Sequence, residues 1–145
     1  MKSLLAGASA LALLLPVPAF AQSKPDTFVI AKGSYTCKTC TPAFTVKADG
    51  SAYPVKGATF DAVAVRLVSN GATEMRMKGG KVVTTITTSV SSDGRTATTD
   101  FTDNSGPKPA RGLVVSRRVA GSPKGDNPVS GSWEPADFSG AKLVR

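Results

Sequence analysis

Cys37 and Cys40, separated by Lys38 and Thr39, carry the most reactive side chains in the sequence, and several chemistries compete for that spacing. Structural zinc needs four Cys or His ligands, and the chain offers two cysteines and no histidine. Haem attachment needs a histidine directly after the second cysteine, where Thr41 stands. Thiol–disulfide exchange favours a first sulfur exposed at a helix N-terminus, which lowers its pKa. Here the motif lies between β-type segments and runs into Thr41-Pro42. A structural disulfide is the reading retained, with exchange at Cys37 and Cys40 as the one enzymatic exception. So small a ring constrains the unfolded chain little and contributes about 2 kcal/mol at most. Residues 37 and 40 of a straight strand face opposite ways, so the bond demands a turn at Lys38-Thr39.

Other reactive side chains point to less. Asp100-Phe101-Thr102-Asp103-Asn104-Ser105-Gly106 resembles a calcium loop, but it lacks the alternate ligand spacing and the later Glu. An Asx-type turn closing a strand suits it better. The chain has no Gly-x-Ser-x-Gly elbow and no histidine to serve a serine as base. Asp49 and Asp93 are accounted for by turns. The expectation is therefore a protein without catalysis, metal or cofactor.

Residues 1–21 read as an export signal. Lys2 is followed by an apolar stretch from Leu4 to Leu15, then Pro16 and Pro18, then the small-x-small site Ala19-Phe20-Ala21. The stretch is too short for a membrane anchor, which needs about 20 apolar residues. Cleavage before Gln22 would leave residues 22–145 as a single exported β-rich domain, periplasmic or extracellular, with no transmembrane anchor. The formal charge of +8 suits an anionic envelope component as partner. The basic residues are dispersed, however, and their longest run is Arg117-Arg118. With few aromatics between them, specific nucleic-acid binding is not expected.

The elements that must position these residues are strands. From Phe28 onward the apolar pattern has period two. Gly79-Gly80 predicts a two-residue hairpin between Thr73–Lys78 and Lys81–Val90, with Met77 facing Val82, Met75 facing Thr84, and Thr73 facing Ile86. That register leaves Glu74, Arg76 and Lys78 on the wet face. Asp93-Gly94 predicts a second hairpin returning as Arg95–Phe101, with Val90 against Ala97, Thr88 against Thr99, and Ile86 against Phe101. Both hairpins place residues 82, 84, 86, 88 and 90 on one inner face. Ala62–Val68 predicts a further strand, joined to Thr73–Lys78 by a three-residue loop, Asn70-Gly71-Ala72, that pairs Leu67 with Met75. Phe28–Ala31, Ala43–Lys47, Tyr53–Val55, Gly112–Val119 and Val129–Trp133 complete the set. Ala48-Asp49-Gly50-Ser51 is read as a turn. Leu113, Val115 and Val119 share one side of their strand, interrupted by Arg117.

Short strands at this spacing predict an all-β antiparallel meander, a small barrel or an incomplete half-barrel of about seven or eight strands. Its inner face mixes Met, Val and Ile with threonines, which suits either a shallow core or an interior holding water or a ligand. The candidate ligand-binding residues are Met75, Met77, Val82, Ile86 and Phe101, and the ligand class is small and apolar or amphipathic. The alternative is an envelope-associated interaction or inhibitor module that uses strand edges and the basic surface.

Several segments carry a resemblance. They are Tyr35-Thr36-Cys37-Lys38-Thr39-Cys40-Thr41-Pro42, Val46–Gly50 with Tyr53–Gly57, Lys78–Val83, Ser92–Thr96, Asp100–Asp103 and Val129-Ser130-Gly131-Ser132-Trp133. In this order they resemble a family of uncharacterised bacterial exported proteins with lipocalin-like β-barrel or half-barrel character. The resemblance spans about residues 33–134. It implies a lipocalin-like β fold and an exported location, and it brings no activity or site residues.

Overall fold

Glycine at both Gly79 (φ 58°) and Gly80 (φ 76°) lets the chain reverse in two residues, and this hairpin stands where the sequence puts it. It joins two of the ten strands formed by residues 24–141, 143 and 145, which the computed structural model describes. The export signal expected over residues 1–21 lies outside the described residues. In chain order the strands are β1 (Asp26–Ala31), β2 (Ser34–Cys37), β3 (Phe44–Lys47), β4 (Asp49–Pro54) and β5 (Ala62–Val68). There follow β6 (Gly71–Lys78), β7 (Lys81–Val90), β8 (Thr96–Asp103), β9 (Ala110–Ala120) and β10 (Gly131–Gly140). Among the described residues no element is helical.

The strands form one antiparallel sheet in the order β3-β2-β1-β10-β9-β8-β7-β6-β5-β4. Pairing of β1 with β10 carries the meander round into a ring. The break falls between β3 and β4, which meet at Ala48 without a ladder between them, so the sheet is a nearly closed barrel. Ten strands replace the seven or eight expected. One addition is β2, which lies inside the segment that carries Cys37. The turn expected at Ala48–Ser51 is instead this corner: β3 is committed to β2 and β4 to β5, so the two separate.

Registers decide what faces inward. The β7–β8 register is the expected one: Val90 opposes Ala97, Thr88 opposes Thr99, and Ile86 opposes Phe101. At β6–β7 the first rung is also as expected, with Met77 opposite Val82. A bulge then leaves Val83 unopposed, so Arg76 pairs with Thr84 and Glu74 with Ile86. One extra residue on one strand reverses the facing of the other. Glu74 and Arg76 therefore point into the barrel beside Ile86, while Met75, Met77 and Val82 lie on the outer face. Val82 is 44% exposed, whereas Ile86 and Phe101 are each 2% exposed.

Two further expectations are corrected. Ser69 and Asn70 alone connect β5 to β6, with Val68 opposite Gly71 and Leu67 opposite Ala72. Gly71 is paired in the ladder on both sides, and it must be glycine because a Cβ there would lie 1.9 Å from the Thr88 carbonyl oxygen. On β9, Val114 and Ser116 face inward and Leu113 and Val119 are exposed. Arg117 sits on that outer side and reaches Glu134 at 3.0 Å.

The interior is divided lengthwise. At one end Ile30, Ala72, Val90, Ala97, Val129 and Trp133 belong to a buried cluster that continues through Phe28 and Tyr35 toward the other end. The loop between β9 and β10 closes this end. Asn127 Nδ2 donates to the carbonyls of Val68 and Gly71, each at 3.0 Å, and Trp133 Nε1 donates to the Val129 carbonyl at 2.8 Å. Arg118 stacks 4.3 Å over the Trp133 ring. Its three guanidinium nitrogens donate to the carbonyls of Gly94, Ser130 and Pro128.

Candidate functional site

The opposite, open end contains the candidate site. Here β6 delivers two charged side chains to the barrel interior. Glu74 is 2% exposed and Arg76 is 7% exposed. Residues two apart on a strand share a face, so the pair can meet, and Arg76 Nε donates to Glu74 Oε1 at 2.8 Å. The second oxygen, Oε2, accepts from the Tyr35 hydroxyl at 3.1 Å. Tyr35 stands on β2, held between the rings of Phe28 (5.7 Å) and Phe44 (6.2 Å). Burial, reinforced by the Glu74 charge, pushes the Tyr35 hydroxyl well above its ordinary pKa, so it remains a neutral donor.

A second carboxylate comes from Asp26, at the start of β1. Burial raises its pKa, and the positive charge of Arg145 opposes that rise. The Thr39 hydroxyl donates to Asp26 Oδ1 at 3.5 Å, and it accepts from the Thr27 amide at 3.1 Å. The Cys37–Cys40 disulfide makes the turn that presents Thr39 here, with the two Cα atoms 5.5 Å apart. Both cysteines are buried within the interior cluster.

The segment after β10 supplies the last part. Ala141 extends the ladder by donating its amide to the Arg111 carbonyl at 2.8 Å. Ala141 and Leu143 then pack on Ile86, Phe101 and Val114. Arg145 lies inside, with Nε 3.4 Å from Asp26 Oδ2 and Nη1 3.9 Å from Glu74 Oε2. Its guanidinium is 4.9 Å from the centre of the Phe28 ring.

Two cavities flank this segment, and Leu143 and Arg145 line both. One, of about 500 Å3, adds Asp26, Thr99, Val114, Ser116 and Phe138. The other, of about 840 Å3, adds Phe60, Arg76, Thr84 and Phe101. Each combines apolar walls with a few polar groups, the composition of small-molecule sites.

Of the sequence-predicted residues, Ile86 and Phe101 lie at this end of the interior, and Phe101 lines the larger cavity. Met75, Met77 and Val82 are separated from them by the sheet. Sequence reasoning missed Tyr35, Glu74, Arg76, Asp26 and Arg145. A signal for Glu74 and Arg76 existed. Val82-Val83 places two apolar residues side by side one residue after the turn, which breaks the period and marks where a bulge can sit. Glu74-x-Arg76 is then an opposite-charge pair on one face. Compared with family models, curated proteins and solved structures, the chain matches none of them.

Proposed function

We propose that the protein is an exported, non-catalytic carrier that holds a small amphipathic molecule in the open half of its barrel. The observation that carries this reading is the pair of adjoining cavities. Together they offer Phe101, Val114 and Phe60 to an apolar body, and Thr84, Thr99, Ser116 and Arg76 to a polar end. Pockets of several hundred Å3 with this mixture are the size and chemistry that small ligands occupy. The leader-like residues 1–21 and the disulfide both support an oxidising compartment outside the cytoplasm.

Native mass spectrometry of protein purified from its own host tests the proposal, together with uptake of a fluorescent apolar probe. Ser116→Phe, which fills the smaller cavity, should reduce probe uptake while leaving the fold intact by circular dichroism. A protein that is consistently empty and excludes the probe would refute a carrier role.

A further inference from the structure

Arg145 is a cation inside the barrel, and two carboxylates and an aromatic ring surround it. Two carboxylates, Asp26 and Glu74, lie at 3.4 and 3.9 Å, and the Phe28 ring face lies beneath the guanidinium at 4.9 Å. Arg76 already answers one charge through Glu74 Oε1. With Arg145 in place, two carboxylates meet two guanidiniums. With Arg145 removed, the interior is one positive charge short. Burial makes such a deficit costly, because a charge taken out of water must be paired. Leu143 packs against Phe101, Ile86 and Val114, so Leu143 and Arg145 together present an apolar body and a cationic head.

We infer that the open half of the barrel is a binding site for an amphipathic organic cation. The ligand's ammonium or guanidinium group takes the place of Arg145 between Asp26, Glu74 and Phe28, and its apolar body takes the place of Leu143. This rests on the carrier reading and adds the sign of the ligand's charge. Exchange of one cation for another preserves the internal charge balance, whereas an anion would leave Asp26 and Glu74 facing a like charge. Release of Leu143 and Arg145 joins the two cavities, since both residues are walls common to the two. The lysines lining the cavities, Lys24, Lys38 and Lys78, are all exposed, so water and salt screen them. They affect the approach of a charged ligand more than its final pairing.

The test compares two probes of equal chain length and opposite charge, dodecylammonium and dodecanoate, by calorimetry at pH 7. Arg145→Ala vacates the head position and leaves Leu143. It should bind dodecylammonium about tenfold or more tightly than the unmodified chain does, because the internal competitor is gone. Dodecanoate should gain nothing. Asp26→Asn added to Arg145→Ala should abolish the gain, and so should Glu74→Gln. Asp26, the less buried of the two carboxylates, provides the variant least in danger of misfolding. In the unmodified chain, dodecylammonium should speed hydrogen exchange at the Ala141 amide, as the segment leaves. An equal gain for dodecanoate, or a gain that survives both carboxylate substitutions, would overturn the cation site. If the apolar probe enters but dodecylammonium gains nothing, the cation site falls and the carrier reading stands. If neither amphiphile nor the apolar probe enters any variant, both fall.

Discussion

The two ends of the barrel solve the burial of polar groups in opposite ways. At the closed end the Arg118 guanidinium spends its donors on backbone carbonyls and covers an indole. Its partners are fixed dipoles of the fold, so nothing there can be exchanged without unmaking a loop. At the open end Glu74, Arg76, Asp26 and Arg145 balance one another through side chains, and one of the four follows the ladder bond from the Ala141 amide to the Arg111 carbonyl. Side-chain charges can be replaced by other charges. The closed end is built to stay, and the open end to trade partners.

The largest effect that tests this contrast is truncation of an apolar anchor at each end. Trp133→Ala empties the centre of the closed end and should cost about 3–5 kcal/mol of unfolding free energy, read by urea titration. Leu143→Ala, at the open end, should cost on the order of 1 kcal/mol, because that side chain is only partly buried. Equal losses would erase the distinction.

Next in size is the pair of arginines. Arg118→Met keeps the apolar stem but strands the carbonyls of Gly94, Pro128 and Ser130, and should cost about 2–3 kcal/mol. It should also leave ligand binding unmoved. Arg145→Met should cost less and should change binding. The contrast is sharpened if each variant affects one property, and broken if Arg118→Met alters probe affinity at the far end.

Titration separates the ends of the scale further. The raised pKa of Asp26 means that the folded chain holds this proton more tightly than the unfolded chain does. Unfolding free energy therefore declines as pH rises from the ordinary aspartate value, about 3.8, through the raised folded value, and the decline ends above it. The turn residue Asp93 has the opposite sign. Its carboxylate accepts from the Ser91 hydroxyl and the Arg95 amide, which lowers its pKa. Its contribution is present above about 3.8 and is lost as pH falls through the lowered value. Urea titrations from pH 3 to 7 should show Asp26→Asn removing the decline. In Arg145→Ala the decline should extend to higher pH, because the opposing positive charge is gone. An Asp26→Asn profile parallel to that of the unmodified chain would show that Asp26 is not held by its surroundings.

The same residues explain what could be read in the sequence. Turn chemistry was legible: Gly79-Gly80 falls where expected, β5 and β7 have their expected bounds, and the β7–β8 register holds along its length, although the chain there reverses through Ser92 and Asp93, with the Gly94 amide on the Ser91 carbonyl, and not through Asp93-Gly94 alone. The Cys37–Cys40 bond was also legible, since two cysteines allow one pairing. The inward face of β6 was not. Hydrophobicity favoured Met75 and Met77 over Glu74 and Arg76, and that rule fails where buried charges pair with each other. Ring closure depends on pairing β1 with β10, about a hundred residues apart, for which local pattern carries no signal. Arg145 lies further still from Asp26, and only the fold brings them together.

The smallest effect tests whether the charged face is the interior at all. If Met77 and Val82 were inside, as simple alternation from the Gly79-Gly80 turn requires, Val82→Thr would place a hydroxyl in the core and cost 1–2 kcal/mol or more. With the bulge at Val83, Val82 is on the outer face at 44% exposure, and Val82→Thr should change stability by no more than about 0.5 kcal/mol. Ile86→Thr, four residues along the same strand, should cost several times as much, because Ile86 packs with Phe101 and Val114. Residues 82 and 86 share a face on any unbulged strand, so a wide gap between the two variants is the outcome expected from a slip of the alternation between them. Equal costs at Val82 and Ile86 would instead overturn the slip that turns Glu74 and Arg76 inward and gives the open end its charge.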